Sequence, residues 1–403
     1  ITGHDVLALC DAAVPHLDAT IRASRRPDGL VHSYNVLRFD PARGGVAVEH
    51  LPEMLEGQVA ALGSESFSIG ERADIVDARF ASALYRADQD SFVLYPARTL
   101  PSFVEKNVVP RAAVDANALL HRLIAAGHTG VVVVDADEVV RFQPDIVDAD
   151  RLGSALERIA ADPDWSADVA AWRAATLETY EHVVGHGAYT GRSGSMYAYE
   201  GIGSVYWHMV TKLLLAVQEV ALEAERLGSG HDLVARLVGS YWAVRAGLGF
   251  NKTAHEFGAI PTDPYSHTPA HAGAQQPGMT GAVKEELLAR WLEVGVRVDG
   301  GEIVFDPLLL RGAELLDGAA TWTFRDGAGE SRTIELTSGQ LGFTLCRVPV
   351  VVAAVEGASF VDVEFADGRV ERIDGDRIGR LVSASIFHET REVRTVVAHV
   401  HAG

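Results

Sequence analysis

His267, His271, Gln275 and Gln276 crowd into one stretch, Pro261–Glu286, together with four prolines and three glycines. Neutral imidazole and amide groups both donate and accept hydrogen bonds, which suits a ligand rich in hydroxyls. The Gly278-Met-Thr-Gly281 turn leaves backbone N–H groups free where a helix begins, a place that favours an anion. The plainer reading is a proline-ordered loop that caps this helix. A second stretch, Gly191–Gly203, carries four glycines that let backbone approach a ligand closely. Tyr197, Tyr199, Tyr206 and Trp207 offer flat faces of the kind that stack on sugar rings. Glu200 stands just ahead of a long apolar helix, where an apolar surround would keep its carboxyl protonated near neutral pH. General-acid cleavage of a glycosidic bond needs such a group. Alternatively, Glu200 is a first-turn acid favoured by the helix dipole.

If both stretches open helices at one end of the molecule, Glu200 faces Asp263, His267, His271 or Gln276 across a sugar-sized gap. Inverting hydrolases hold their two carboxyls about 6.5–9.5 Å apart, leaving room for water. Asp263 is then the partner base; standing before Pro264, it also reads as a turn former. His32-Ser-Tyr-Asn35 and the acids Glu49, Glu53 and Glu56 supply further polar groups, the acids sharing a helix face if all are helical. Glu105, Lys106 and Asn107 lie between apolar flanks, as an active-site wall or as a structural polar cluster. Asp135-Ala-Asp-Glu138 lacks the spaced oxygen ligands of a calcium loop and reads as a turn of solvated acids. His267 and His271 sit in a proline-broken loop, so helical zinc-ligand geometry is not available to them. No metal site is assigned, and no nucleotide or serine-hydrolase fingerprint occurs.

The elements that must position these groups change character along the chain. Residues 1–300 read as helices joined by long polar loops, with helical spacing over 5–24, 51–61, 70–86, 111–126, 149–161, 165–184, 203–227, 230–247 and 281–294. A β-branched run at Gly130–Asp135 interrupts them as a strand, with a second near 138–142. From 301 to 403 short period-two runs alternate with turn signals such as Asp326-Gly327 and Asp367-Gly368, predicting a β-sandwich-type module. A chain of 403 residues that is 48% hydrophobic and 22% charged is globular, and its net charge of −20 argues against a nucleic-acid partner. Two distant cysteines, Cys10 and Cys346, support neither a disulfide framework nor a thiolate metal site. The most apolar helix, Val205–Leu222, is interrupted by His208, Lys212, Gln218 and Glu219 and is expected in the core, not in a membrane. No signal peptide precedes Ile1, so a cytoplasmic location is expected. The missing initiator methionine suggests a processed or truncated piece of something longer.

On these residues the chain resembles the cellobiose-phosphorylase-like group of carbohydrate-active enzymes, built on an (α/α)6 toroid with accessory β modules. His271-Ala-Gly-Ala-Gln-Gln-Pro-Gly-Met-Thr-Gly281 is similar to the group's histidine-containing, glycine-rich loop, whose Thr-Gly pair opens a barrel helix. Gly301-Glu-Ile-Val-Phe-Asp-Pro307 is similar to the β tail that follows. The resemblance covers residues 30–310 and implies that His271, Thr280 and Gly281 bind phosphate. The group's Trp-Asn-Asp-Gly acid motif is absent, and Ala198-Tyr199-Glu200-Gly201 stands loosely in its place. The expected function is inverting cleavage of a glycosidic bond in a β-glucoside or oligosaccharide, by phosphorolysis or hydrolysis. Glu200 and Asp263 are the catalytic candidates; Tyr197, Tyr199, Trp207, His267, Gln275 and Gln276 would bind substrate. No cofactor is implied beyond inorganic phosphate as co-substrate, and the expected partners are the glycoside and either the rest of a longer chain or a second copy. The alternative is a non-catalytic carbohydrate-binding or scaffold fragment.

Overall fold

The computed structural model describes residues 1–40, 44–96, 102–185, 204–205, 207–248, 268–269 and 283–401. By packing, these divide into two compact units, one of residues 1–96 with 203–403 and one of residues 97–202 inserted between them.

In the first unit, helix α1 (Gly3–Ala23) starts on a capping box in which Thr2 and Asp5 satisfy each other's backbone N–H groups. A hairpin of β1 (Asn35–Asp40) and β2 (Gly45–His50) follows, then α2 (Leu55–Leu62) and α3 (Ile69–Phe80). Both strands fall where sequence spacing predicted only a loop. Glu49 therefore lies on β2 while Glu56 opens α2, so Glu49, Glu53 and Glu56 do not share one helix face. After the short pair β3 (Tyr85–Arg86) and β4 (Ser91–Phe92), the chain returns from the insertion through β7 (Ser204–Val205) into α9 (Trp207–Arg226). That helix is the core element expected of its apolar run: Val210, Leu213, Leu214, Val217, Val220 and Ala221 are all buried. Helices α2, α3, α10 (His231–Ala246) and α11 (Val283–Glu293) pack on it. The described residues do not show a closed toroid of helices.

The C-terminal part is strand-rich, as its period-two pattern predicted. Strands β9 (Val296–Asp299), β10 (Glu302–Phe305) and β17 (Arg377–Ile378) form one sheet, and β11 (Ala320–Arg325) pairs with β12 (Ser331–Leu336). A five-stranded sheet runs in the order β13 (Gln340–Leu345), β14 (Val348–Val355), β18 (Val393–His401), β15 (Phe360–Phe365), β16 (Val370–Asp374). Ile303 and Phe305 of the small sheet share one core with Val350, Val352, Val361, Val363 and Val396 of the large one. β14 and β18 pair in parallel, which a hairpin cannot achieve, and helix α12 (Arg380–Phe387) lies in the connection that returns the chain to the sheet. The strand-rich C-terminal region expected from the sequence is thus a set of sheets, the five-stranded one mixed, with one helix.

In the inserted unit, α4 (Phe103–Lys106), α5 (Arg111–Ala116) and α6 (Ala118–Ala125) lead into a hairpin of β5 (Val132–Val134) and β6 (Val140–Phe142). Helices α7 (Ala149–Ala160) and α8 (Pro163–Val184) complete it, and Leu152, Ala155, Leu156 and Ile159 present α7's apolar stripe. They meet Leu119, Leu120, Leu123, Phe142 and Tyr180 in a separate core. Asn107 is structural: its amide donates to the Phe142 carbonyl at 2.8 Å and accepts from the Phe142 N–H at 3.1 Å. Asp135 likewise holds its turn, accepting from the N–H groups of Asp137 and Val139, each at 2.9 Å.

Candidate functional site

A short antiparallel ladder pairs residues next to one of the stretches that sequence chemistry singled out with residues inside the other. Ser204 pairs with Pro269 and Val205 with Thr268, the latter two forming β8 (Thr268–Pro269). Val205 also bridges to Val93. Chain just after Gly191–Gly203 and chain inside Pro261–Glu286 are therefore neighbours in space. Close by, the C-terminal end of α10 meets the β3–β4 turn: a Cβ on Gly247 would lie 2.1 Å from the Asp90 carbonyl oxygen, so only glycine fits there. Asp90 is held at φ 47° and accepts from the Tyr85 hydroxyl at 2.5 Å. Burial, together with that carboxylate, pushes the Tyr85 phenol up to about 12.

Glu200, Asp263, Tyr197, Tyr199, His267, His271, Gln275, Gln276, Thr280 and Gly281 lie outside the described residues. Trp207 lies inside them and is a core residue, 2% exposed at the start of α9. Its ring therefore offers no open face to a sugar in this structure.

A buried charged layer that the sequence reading missed runs between α10 and α11. The Arg245 guanidinium hydrogen-bonds Glu286 at 2.6 Å and forms an ion pair with Glu293 at 2.8 Å, and the Tyr241 hydroxyl donates to Glu293 at 2.6 Å. Arg290 reaches the second Glu293 oxygen at 3.0 Å and forks onto both oxygens of Glu314 at 3.1 and 2.7 Å. Arg290 in turn holds the Glu314 carboxyl below its ordinary value, while burial raises the Tyr241 phenol. The spacing Glu286, Arg290, Glu293 on α11 is the i, i+4, i+7 signature that could have revealed this layer. Glu285, beside it in the first turn of α11, is 4% exposed, and its Oε2 has no hydrogen-bond partner among the described residues. Its unpartnered oxygen can accept a hydrogen bond from a ligand hydroxyl, while its other oxygen lies 3.7 Å from the Lys284 ammonium.

The His32–Asn35 segment forms a second polar cluster with the chain after β2. His32 stacks on His50 at 3.8 Å, and the His50 ring nitrogen Nδ1 shares a 2.7 Å hydrogen bond with Asn35. The Tyr34 hydroxyl donates to Glu56 at 3.2 Å, and Arg26 joins Asp28 and Glu53. Partial burial, helped by the neighbouring His50, holds the His32 imidazole below its ordinary value.

Compared with known families, residues 100–187 match the model of GH149 phosphorylase insertion domain 2. Those residues fall within the compact unit 97–202, so sequence similarity and packing mark the same inserted piece. The likeness is to a glycoside phosphorylase domain, and it supports the phosphorylase part of the resemblance without singling out the cellobiose-phosphorylase-like group. No curated protein matches the chain. Among the described residues no helix is long and apolar enough to cross a membrane.

Proposed function

We propose that the chain serves a glycoside phosphorylase, cleaving a glycosidic bond of a β-glucoside or oligosaccharide with inversion. The observation that carries this reading is the match of residues 100–187 to a phosphorylase insertion domain. The β7–β8 ladder supports it further, since it pairs Ser204–Val205, the residues next after Gly191–Gly203, with Thr268–Pro269 inside Pro261–Glu286. In the proposed step a phosphate oxygen attacks the anomeric carbon from the face opposite the bond being broken. Glu200 gives its proton to the departing glycosidic oxygen, and the products are a sugar 1-phosphate of inverted configuration and a shortened glycoside. His271, Thr280 and Gly281 would hold the phosphate; Tyr197, Tyr199, His267, Gln275 and Gln276 would hold the sugar. With water in place of phosphate, Asp263 would act as the base of an inverting hydrolase. The proposal also includes the (α/α)6 arrangement, with residues 1–300 catalytic and 301–403 an accessory β module.

The absent Trp-Asn-Asp-Gly motif favours a second reading, a carbohydrate-binding or scaffold piece without catalysis. Incubation with a panel of β-linked glucans, with and without phosphate, separates the two. Sugar 1-phosphate formed only with phosphate supports phosphorolysis, and its loss in Glu200→Gln, with folding and sugar binding kept, supports the acid. Free sugar without phosphate would replace phosphorolysis by hydrolysis. Saturable binding with no product would establish the second reading, and full activity in Glu200→Gln would remove the acid assignment.

A further inference from the structure

Far along the chain from these stretches, the strand-rich part holds a cavity of about 340 Å³ whose lining is rich in arginine. Four arginines line it: Arg332 from β12, Arg347 from the β13–β14 turn, and Arg391 and Arg394 from the approach to and start of β18. Only two lining residues, Asp326 and Glu389, are acidic, in a chain whose net charge is −20. The cavity is thus a local cationic island on an acidic protein, where field focusing favours a small anion.

The pairing of these arginines leaves capacity for a ligand. Arg394 meets Glu364 at 3.0 Å, and Arg332 donates to the Arg394 carbonyl at 3.3 Å. Arg347 lies 3.8 Å from Glu389, too long for a hydrogen bond, and both side chains are about half exposed. Arg391 has no ion pair or hydrogen bond among the described residues, and its stem passes close to Gly327. Asp326 is already committed to its turn, accepting from the N–H groups of Ala328 and Glu330 at 2.9 and 3.0 Å. Backbone strain gathers here too: Cys346, Arg347, Glu389 and Arg391 all have positive φ, from 47° to 68°. That conformation is costly for residues with a side chain, and here it presents two arginines from two separate loops to one cavity.

We propose that this cavity binds the phosphoryl group of a small anion, either inorganic phosphate or a sugar phosphate, through Arg391 and Arg347 backed by Arg332 and Arg394. Forked guanidinium donors match the oxygens of a tetrahedral oxyanion, and the volume suits a ligand of hexose-phosphate size. The choice of a phosphoryl ligand rests on the phosphorylase reading; the site itself does not. Cysteine chemistry is not part of the proposal, since burial and the nearby Glu389 raise the Cys346 thiol and keep it protonated.

The test is calorimetric titration of the whole chain with inorganic phosphate, glucose 1-phosphate, glucose and glucuronate at matched ionic strength. Saturable binding of either phosphate, weakened at least tenfold in both Arg391→Gln and Arg347→Gln, is expected, and the tighter of the two identifies the source. Arg369→Gln, whose guanidinium pairs with Glu371 outside the cavity lining, should bind as the wild type does. Ligand should also slow alkylation of Cys346 severalfold while leaving the exposed Cys10 unchanged, which reports occupancy of this cavity rather than any catalytic pocket. The proposal is overturned by binding only of glucuronate, by a response that sodium chloride reproduces, or by phosphate binding that both arginine variants keep. Because every readout is binding, absence of glycoside cleavage would leave it standing.

Discussion

Arg79 and Arg72 occupy the same buried face of α3, seven residues apart, and should respond to the same substitution with opposite signs. Arg79 is fully buried, and none of its three guanidinium nitrogens has a hydrogen-bond partner among the described residues. Burial pushes it far below the ordinary arginine value, to about 9, which corresponds to a charging cost on the order of 5 kcal/mol. Its compensation comes from two rings, with the guanidinium carbon 5.2 Å from the Phe80 centroid and 4.7 Å from that of Phe92. Desolvated cation–π contacts contribute about 2 kcal/mol each, so the charge remains a net cost on the order of 1 kcal/mol. Methionine fills similar space, and its thioether against the same rings adds about 0.3–1.5 kcal/mol. Arg79→Met should therefore raise the unfolding free energy by about 1–2 kcal/mol in urea melts near pH 7.5. Arg72 instead holds Glu223 at 2.8 Å, so Arg72→Met should lower it by on the order of 3 kcal/mol. The pH dependence follows from linkage. A base whose folded value is depressed carries its full penalty below about 9, and the penalty fades as pH rises from there towards the ordinary arginine value, because in that window the unfolded chain binds more protons. The advantage of Arg79→Met should shrink between pH 8 and roughly 10.5. A loss of 2 kcal/mol or more in Arg79→Met would refute the reasoning, because it would mean the guanidinium has a bonding partner.

Tyr241→Phe removes the hydroxyl that donates to buried Glu293 and should cost about 1.5–3 kcal/mol in denaturant melts; an unchanged midpoint would show that Arg245 and Arg290 alone satisfy that carboxylate. Gly247→Ala drives a methyl into the Asp90 carbonyl and should cost about 1–3 kcal/mol with the helix content unchanged by circular dichroism. His32 is held neutral by burial and by His50, so its contribution to stability is present above the ordinary histidine value and is lost as pH falls through its lowered one. Urea melts at pH 7.5 and 5 should show a smaller acid-side loss in His32→Gln than in the wild type, and equal losses would count against that assignment.

Helices with an apolar stripe were legible in the sequence: α7, α8, α9 and α10 begin and end within a few residues of where the spacing put them. Strands such as Ala320–Arg325 and Phe360–Phe365 coincide with their alternating runs. The β1–β2 hairpin was missed because its alternating run buries nothing: Leu37, Phe39, Val46 and Val48 are all exposed, and the surrounding breakers read as loop. α12 was missed because Leu381-Val-Ser-Ala-Ser-Ile-Phe387 is a short apolar run that suits helix and strand equally. Of the site, the proposed catalytic and binding side chains lie outside the described residues, and only the pairing of Ser204–Val205 with Thr268–Pro269 bears on where their stretches run. The charged layer of Arg245, Glu286 and Glu293 was not legible, because charged side chains on a helix read as solvent-facing until tertiary packing buries them. The arginine cavity was hidden for a related reason, since its lining comes from separate turns that only the sheet order brings together.

The split of the first unit around residues 97–202 sets an order on synthesis. Leu55, Leu62, Ile75 and Val76 share a core with Leu213, Val217 and Val220, which leave the ribosome only after the whole inserted unit. At about 5–20 residues per second, those apolar faces wait roughly 7–27 s for the core residues of α9. The inserted unit draws its own core from one continuous stretch and needs nothing that comes later. It is the piece expected to fold first on the nascent chain, while α2 and α3 remain clients for chaperones. Expressed by itself, residues 97–202 should yield a cooperative domain, whereas residues 1–96 should aggregate until α9 is supplied.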